Sequence, residues 1–156
     1  MSGHIDVGRL RQRSAYIEAQ LEALRRRTAD PKAREELLSD TFASGAVKYA
    51  LQTAVEAVID MAYHLAVQLC GTAPGSAVEA FQALAGQGYM NAEDAARFAA
   101  MARFRNKVVH GYGDVTIEGL ARILEEDLQD FERWLDVVRR IVLEQRGPVS
   151  GNGSGE

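Results

Sequence analysis

Arg105, Asn106, His110 and Tyr112 stand close together in the stretch "RFRNKVVHGYGDV", residues 103–115. An arginine offers a permanent, planar cation suited to phosphate. A histidine moves protons near neutral pH. Arg97, Arg103 and Lys107 add positive charge nearby, and no acid occurs between Ala95 and Gly113. A phosphate would be favoured at such an island.

Spacing sets a condition on this pair. A helix turns about 100° per residue, so positions 105 and 110 lie roughly 140° apart on an unbroken helix. For Arg105 and His110 to act together the helix must stop near Val109, so that His110 turns back toward the arginine. Gly111 is suited to that stop, because glycine takes the left-handed conformation past a helix end at no steric cost. A helix C-terminus also favours a protonated histidine. Histidines near helix ends are commonly caps and helix arginines are commonly solvated, so spacing alone leaves both readings open.

The elements that must carry these residues read as helices throughout. Alanine, leucine, arginine and glutamate dominate the 156 residues, with three prolines, a composition that favours helix. A first helix is expected over 5–27, with Ile5, Leu10, Ile17, Leu21 and Leu24 as its stripe. Asp30-Pro31 opens a short helix through Glu35 to Leu38, followed by a break over Ser39–Gly45. The longest helix covers about 42–70 and is ended by Gly71, Pro74 and Gly75. Further helices are expected over 76–86, from the Asn91 cap into the motif, and from the Thr116 cap to about 145. The expectation is an all-α, up-and-down bundle of four to five helices in one domain over 1–146, with a Gly/Ser-rich tail over 147–156.

Composition excludes several classes. The formal net charge is −4 and the pI about 5.4, so a globally basic nucleic-acid binder is excluded. Cys70 is the only cysteine, which rules out an internal disulfide or a thiolate cluster and reads as a buried, inert thiol. No signal-like segment and no apolar run near ~18 residues is present, and a cytoplasmic protein is expected.

The string Arg105-Asn106 to His110-Gly111-Tyr112 resembles the Arg-x4-His-x-Tyr signature of HepT-like proteins within the HEPN superfamily. The resemblance extends to "ALQTAVEAVIDMAYHLA" at 50–66, to 81–115, and to "LEEDLQDFERWL" at 124–135. It implies a HEPN-like bundle that forms a homodimer, with the motifs of both subunits in a shared cleft. It implies a metal-independent endoribonuclease toxin that needs no cofactor. Its partner would be an MntA-like nucleotidyltransferase antitoxin, which adds AMP to Tyr112. In such chemistry the RNA 2′-hydroxyl is the internal nucleophile, His110 moves protons and Arg105 stabilises the phosphorane-like charge. Asn106 would orient the phosphate or the histidine, and Arg97, Arg103 and Lys107 would hold RNA. The alternatives behind this first reading are a non-catalytic binding module and a subunit whose main role is to be AMPylated.

Glu56, Asp60 and His64 follow one another at steps of four, so they share a helix face. A metal site is conceivable there. The reading preferred from the sequence is that at least one of Glu56 and Asp60 pairs with Arg105 or Arg103 and holds it in place, with a solvated face as the plain alternative. Phe131 and Trp134 have core-like spacing, and the acids Glu125, Glu126, Asp127, Asp130 and Glu132 read as a solvated face.

Overall fold

The first helix begins where Asp6 accepts a hydrogen bond from the backbone N–H of Arg9 at 3.0 Å. A short polar side chain here satisfies one of the amides that a helix start leaves unpaired. In the computed structural model, which describes residues 3–110 and 115–145 and leaves out the side chains of Val109 and His110, this helix is α1 (Val7–Thr28). It buries Leu10, Ile17, Leu21 and Leu24, the stripe expected from the sequence. α2 (Pro31–Ser39) is capped by Asp30, with proline in the first turn.

The expected break over Ser39–Gly45 shrinks to a single residue. Asp40 ends α2 and caps α3 (Thr41–Cys70), accepting from the Ala43 amide at 2.8 Å. Gly45 is absorbed inside the helix, where neither turn nor close contact demands it. Gly71, at φ 63°, closes α3 in the left-handed region that glycine tolerates. α4 (Ala77–Gly86) is capped by Ser76, and α5 (Ala92–His110) is opened by Asn91, whose side chain accepts from the Asp94 amide at 2.7 Å.

Thr116 caps the last rod as expected, accepting from the Gly119 amide at 3.0 Å. The rod is not uniform. α6 (Ile117–Arg122) passes through a π-helical turn (Ile123–Asp127) into α7 (Leu128–Gln145). Leu120, Leu124 and Leu128 are all buried. Successive steps of four drift by about 40° each on an α-helix. Widening one turn to i→i+5 bonding takes up that drift and keeps the three leucines on one line.

Counting that rod once, the described residues form six helices and no strand, and none of these helices is long and apolar enough to cross a membrane. α3 is the spine: α1, α2, α4 and α5 pack against it, and α7 closes over α1 and α5. Trp134 joins Phe81 and Phe98 in the core, edge-on to both, with ring centroids 5.7 and 5.2 Å away. Trp134 and Phe131 are thus packing residues. The half-buried Cys70 thiol donates to the Ala83 carbonyl, and burial pushes its pKa up. The expected tail over 147–156 lies outside the described residues.

Candidate active site

α5 delivers the motif. Its inward stripe of Ala95, Phe98, Met101 and Ala102 is buried, which anchors the helix and fixes the directions of Arg103, Arg105 and Lys107. Arg103, Asn106 and Lys107 are exposed, and Arg105 is half-buried. The Arg105 Nε is fully enclosed and, among the described residues, has no hydrogen-bond partner. Enclosure of this atom fixes the inner part of the side chain by packing.

The helix runs through His110, one residue beyond the expected stop near Val109. A hydrogen-bonded turn continues while the amides still find carbonyls four residues back, and Val109 does nothing to interrupt it. The backbone therefore places position 110 roughly 140° around the helix from position 105. Gly111, Tyr112 and Gly113, on which the turn-back and the modification reading rest, lie outside the described residues, as does the His110 side chain.

The expectation that Glu56 or Asp60 holds Arg105 or Arg103 is corrected. Asp60 accepts from Arg9 Nε at 3.1 Å, Arg9 Nη2 at 2.5 Å and Arg13 Nε at 3.1 Å. Burial would raise its carboxyl, but these hydrogen bonds outweigh it and hold the group below its ordinary value. Glu56 is exposed and accepts from Gln52 at 3.2 Å. The reason is rotational: Leu51 and Val55 turn toward α5, while Glu56 and Asp60 border the groove against α1 with Arg13 and Tyr16. His64, on the same side, accepts the Asp6 amide at Nε2 over 2.8 Å. Burial, then Arg9, depresses its pKa. Each member of the Glu56, Asp60 and His64 series thus has a separate partner.

Arg97 is half-buried and donates to Asp94 at 3.3 Å, and Arg133 approaches the same carboxylate at 3.8 Å. Asp94 is only 7% exposed and sits in the first turn of α5, where a negative charge is favoured. The acids of the last helix also divide. Glu125 pairs with Arg34 and Glu132 with Arg25, whereas Asp127 and Asp130 are half-buried, with pKa values raised chiefly by burial. Both line a cavity of about 110 Å³ between α5 and the π-helical turn, together with Arg97, Met101, Phe104 and Ile123. Sequence reasoning missed this pair, although acids flanking the buried Leu128 and Phe131 were a visible signal. A groove of about 720 Å³ between α1 and α7 is lined, among the described residues, by opposed surface charges such as Arg25 and Glu132 and by no motif residue.

The bundle is all-α and carries the Arg-x4-His string at the end of a core helix. A family profile described as Ribonuclease HepT-like matches residues 17–138, and the chain belongs to that HepT-like ribonuclease family. The mRNA nuclease HepT of Shewanella oneidensis is 29% identical over 89 residues, 57% of this chain and 67% of that protein. A tri-AMPylated HEPN toxin from the same organism, solved in complex with an MNT antitoxin, superposes with a TM-score of 0.76 at 23% identity, covering 85% of this chain and 97% of that one. The fold also matches YutE of Bacillus subtilis, a cytosolic protein of unknown function, with a TM-score of 0.76 at 16% identity over 94% of this chain and 96% of that one.

Proposed function

We propose that this protein is an endoribonuclease toxin of the HepT/MntA type, acting in the cytosol. The observation that carries the reading is the burial of the Arg105 stem beside an Arg-x4-His motif in a chain of a ribonuclease family. Arg105 supplies a pre-positioned cation for the charge that develops on phosphorus. His110 moves protons: the 2′-oxygen loses its proton and attacks phosphorus, the bond to the 5′-oxygen breaks, and that oxygen takes up a proton. The products are a 2′,3′-cyclic phosphate and a 5′-hydroxyl end. Asn106 orients the phosphate or His110, while Arg103, Lys107 and Arg97 hold the strand. Asp60 and Glu56 have no direct part, because Asp60 is held by Arg9 and Arg13 of α1 and Glu56 by Gln52 of α3.

The active unit is a homodimer in which the motifs share one cleft. Two features support this. The helical backbone at His110 separates positions 105 and 110 around α5, so a second subunit can complete what one helix face does not. Phe42 and Tyr49, seven residues apart on α3 and thus on one face, stay 91% and 65% exposed, apolar surface of the kind a second copy covers. An MntA-like nucleotidyltransferase is the antitoxin, with Tyr112 as the AMP acceptor. The adduct places bulk and negative charge where RNA must sit. The AMPylated state of the Shewanella toxin supports this assignment.

The test is degradation of RNA by the purified protein and by His110→Ala, with growth arrest on expression scored in parallel. Equal cleavage by both proteins overturns the catalytic assignment. No cleavage by the parent, with partner binding intact, favours a binding module. AMP increments mapping elsewhere than Tyr112 remove the modification site.

A further inference from the structure

The cavity between α5 and the π-helical turn combines features that the catalytic reading does not use. Its volume of about 110 Å³ is several times the ~30 Å³ that one water occupies in the liquid, so it has room for a flat ring rather than a single ion. Phe104 and Phe131 line it along with Leu51 and Val55. Polar groups of opposite character lie among these apolar ones. Asp127 and Asp130 present half-buried carboxylates on its wall, and among the described residues no hydrogen bond or ion pair holds either one. Arg97 and Arg133 make their close contacts to Asp94 and act on Asp130 only through their charge. Arg97 gives one of its N–H groups to Asp94 and, with five donors on a guanidinium, keeps others free for a ligand.

A half-buried carboxylate without a partner is an acceptor waiting for a donor, because its lost hydration is not otherwise replaced. The ligand that fits must be flat and apolar on its faces. One edge must donate to a carboxylate and another must accept from a guanidinium. Guanine has that pattern: N1–H and the 2-amino group donate side by side, while O6 and N7 accept and are the usual targets of arginine. Adenine lacks the paired donors. The place also suits a substrate base, since Phe104 immediately precedes Arg105 and Met101 lies one helical turn before it.

We propose that this cavity is a guanine-selective base pocket of the ribonuclease site, with Asp127 and Asp130 accepting from the Watson–Crick edge and Arg97 donating to O6 or N7. This rests on the RNA-cleaving reading above. A base drawn out of a single strand stacks against Phe104, and its backbone phosphate then lies toward Arg105. The π-helical turn has a part in this geometry: it carries Ile123 and Asp127 on the wall facing α5.

The experiment measures binding apart from cleavage. Short fluorescent RNA strands, 2′-O-methylated so that they cannot be cut through the 2′-hydroxyl, carry a single guanine, inosine or adenine in a uridine context. Fluorescence anisotropy with the full-length protein is expected to show the guanine strand bound at least about 10-fold tighter than the adenine strand, with inosine between them. Asp127→Asn and Asp130→Asn nearly preserve shape. They are expected to retain affinity for the adenine strand, which shows that the variants are folded, and to lose the preference for guanine. Equal affinity for all three strands overturns the pocket, as does a guanine preference that survives in both variants. Tight binding of free GMP without base discrimination in RNA also overturns it as a substrate pocket. Unmodified RNA distinguishes the two readings. Cleavage without base preference in substrate choice sinks the pocket and leaves the nuclease standing, while guanine-selective binding by a protein that cuts nothing supports the pocket and sinks the nuclease.

Discussion

On the side of α3 that faces α1, charge is matched group by group: Asp60 takes hydrogen bonds from Arg9 and Arg13, Tyr16 donates to Thr53 at 2.7 Å, and His64 accepts the Asp6 amide. Between α5 and the last helix the matching stops early. Arg97 and Arg133 share Asp94, Asp127 and Asp130 line a cavity, and the Arg105 Nε is enclosed without a partner among the described residues. The first face ties the N-terminal helix to the spine. The second leaves half-buried polar groups without hydrogen bonds among the described residues, an arrangement that costs stability. The charges that hold α1 to the spine are thus separate from the motif carried by α5.

The sharpest way to break this contrast is to exchange the roles. Arg105→Lys keeps the charge but loses the planar fork. It is expected to lower RNA cleavage by about 100-fold or more, with the thermal midpoint little changed. Asp60→Ala is expected to do the reverse. It should lose about 1 kcal/mol in urea unfolding, the scale of a partly exposed ion pair with its hydrogen bonds, at unchanged cleavage rate. If Asp60→Ala silences cleavage as deeply as Arg105→Lys, the two faces are not separate.

The pH dependence sharpens the same contrast. The Asp60 carboxyl is held low in the folded protein, so its stabilisation is present above the ordinary carboxylate value near pH 4 and is lost as pH falls through the folded value. Asp127 and Asp130 are shifted upward, so the sign reverses: their ionised forms weaken the fold at neutral pH, and stability is regained as pH falls toward 4. Asp130→Asn is expected to equal or exceed the parent in thermal midpoint at pH 7, with the advantage vanishing in acid. A loss of stability at pH 7 would place Asp130 among the residues that hold the fold together.

His64 should give the smallest effect. Its pKa is depressed and its neutral Nε2 accepts the Asp6 amide. Its contribution is complete above about pH 6.5 and fades as pH falls through the folded value. His64→Gln is expected to flatten that slope in thermal melts between pH 7.5 and 5, at a cost of roughly 0.5 kcal/mol for a neutral hydrogen bond. A slope left intact in the variant would assign it to another group.

Helix positions were legible in the sequence because their signals are local. The stripe Leu10, Ile17, Leu21 and Leu24 and the caps Asp30, Asn91 and Thr116 depend only on residues a few places away. The motif was legible for the same reason, since Arg105 and His110 share one short string. What failed depended on rotation or on distant partners. Two misses were local instead: Asp40 alone separates α2 from α3, and no periodic pattern announces the π-helical turn.

By itself, the sequence determined an all-α chain with a cationic, acid-free motif at the end of a core helix, because composition, periodicity and spacing act within a few turns. Only the tertiary structure decided that Asp60 serves Arg9 and Arg13 rather than Arg105, and that Asp127 and Asp130 line a cavity with Arg97 instead of facing open solvent. The physical reason is that a charge chooses partners by distance and desolvation. Both are properties of how α1, α3, α5 and the last helix pack, and are not set by the order of residues along any one of them.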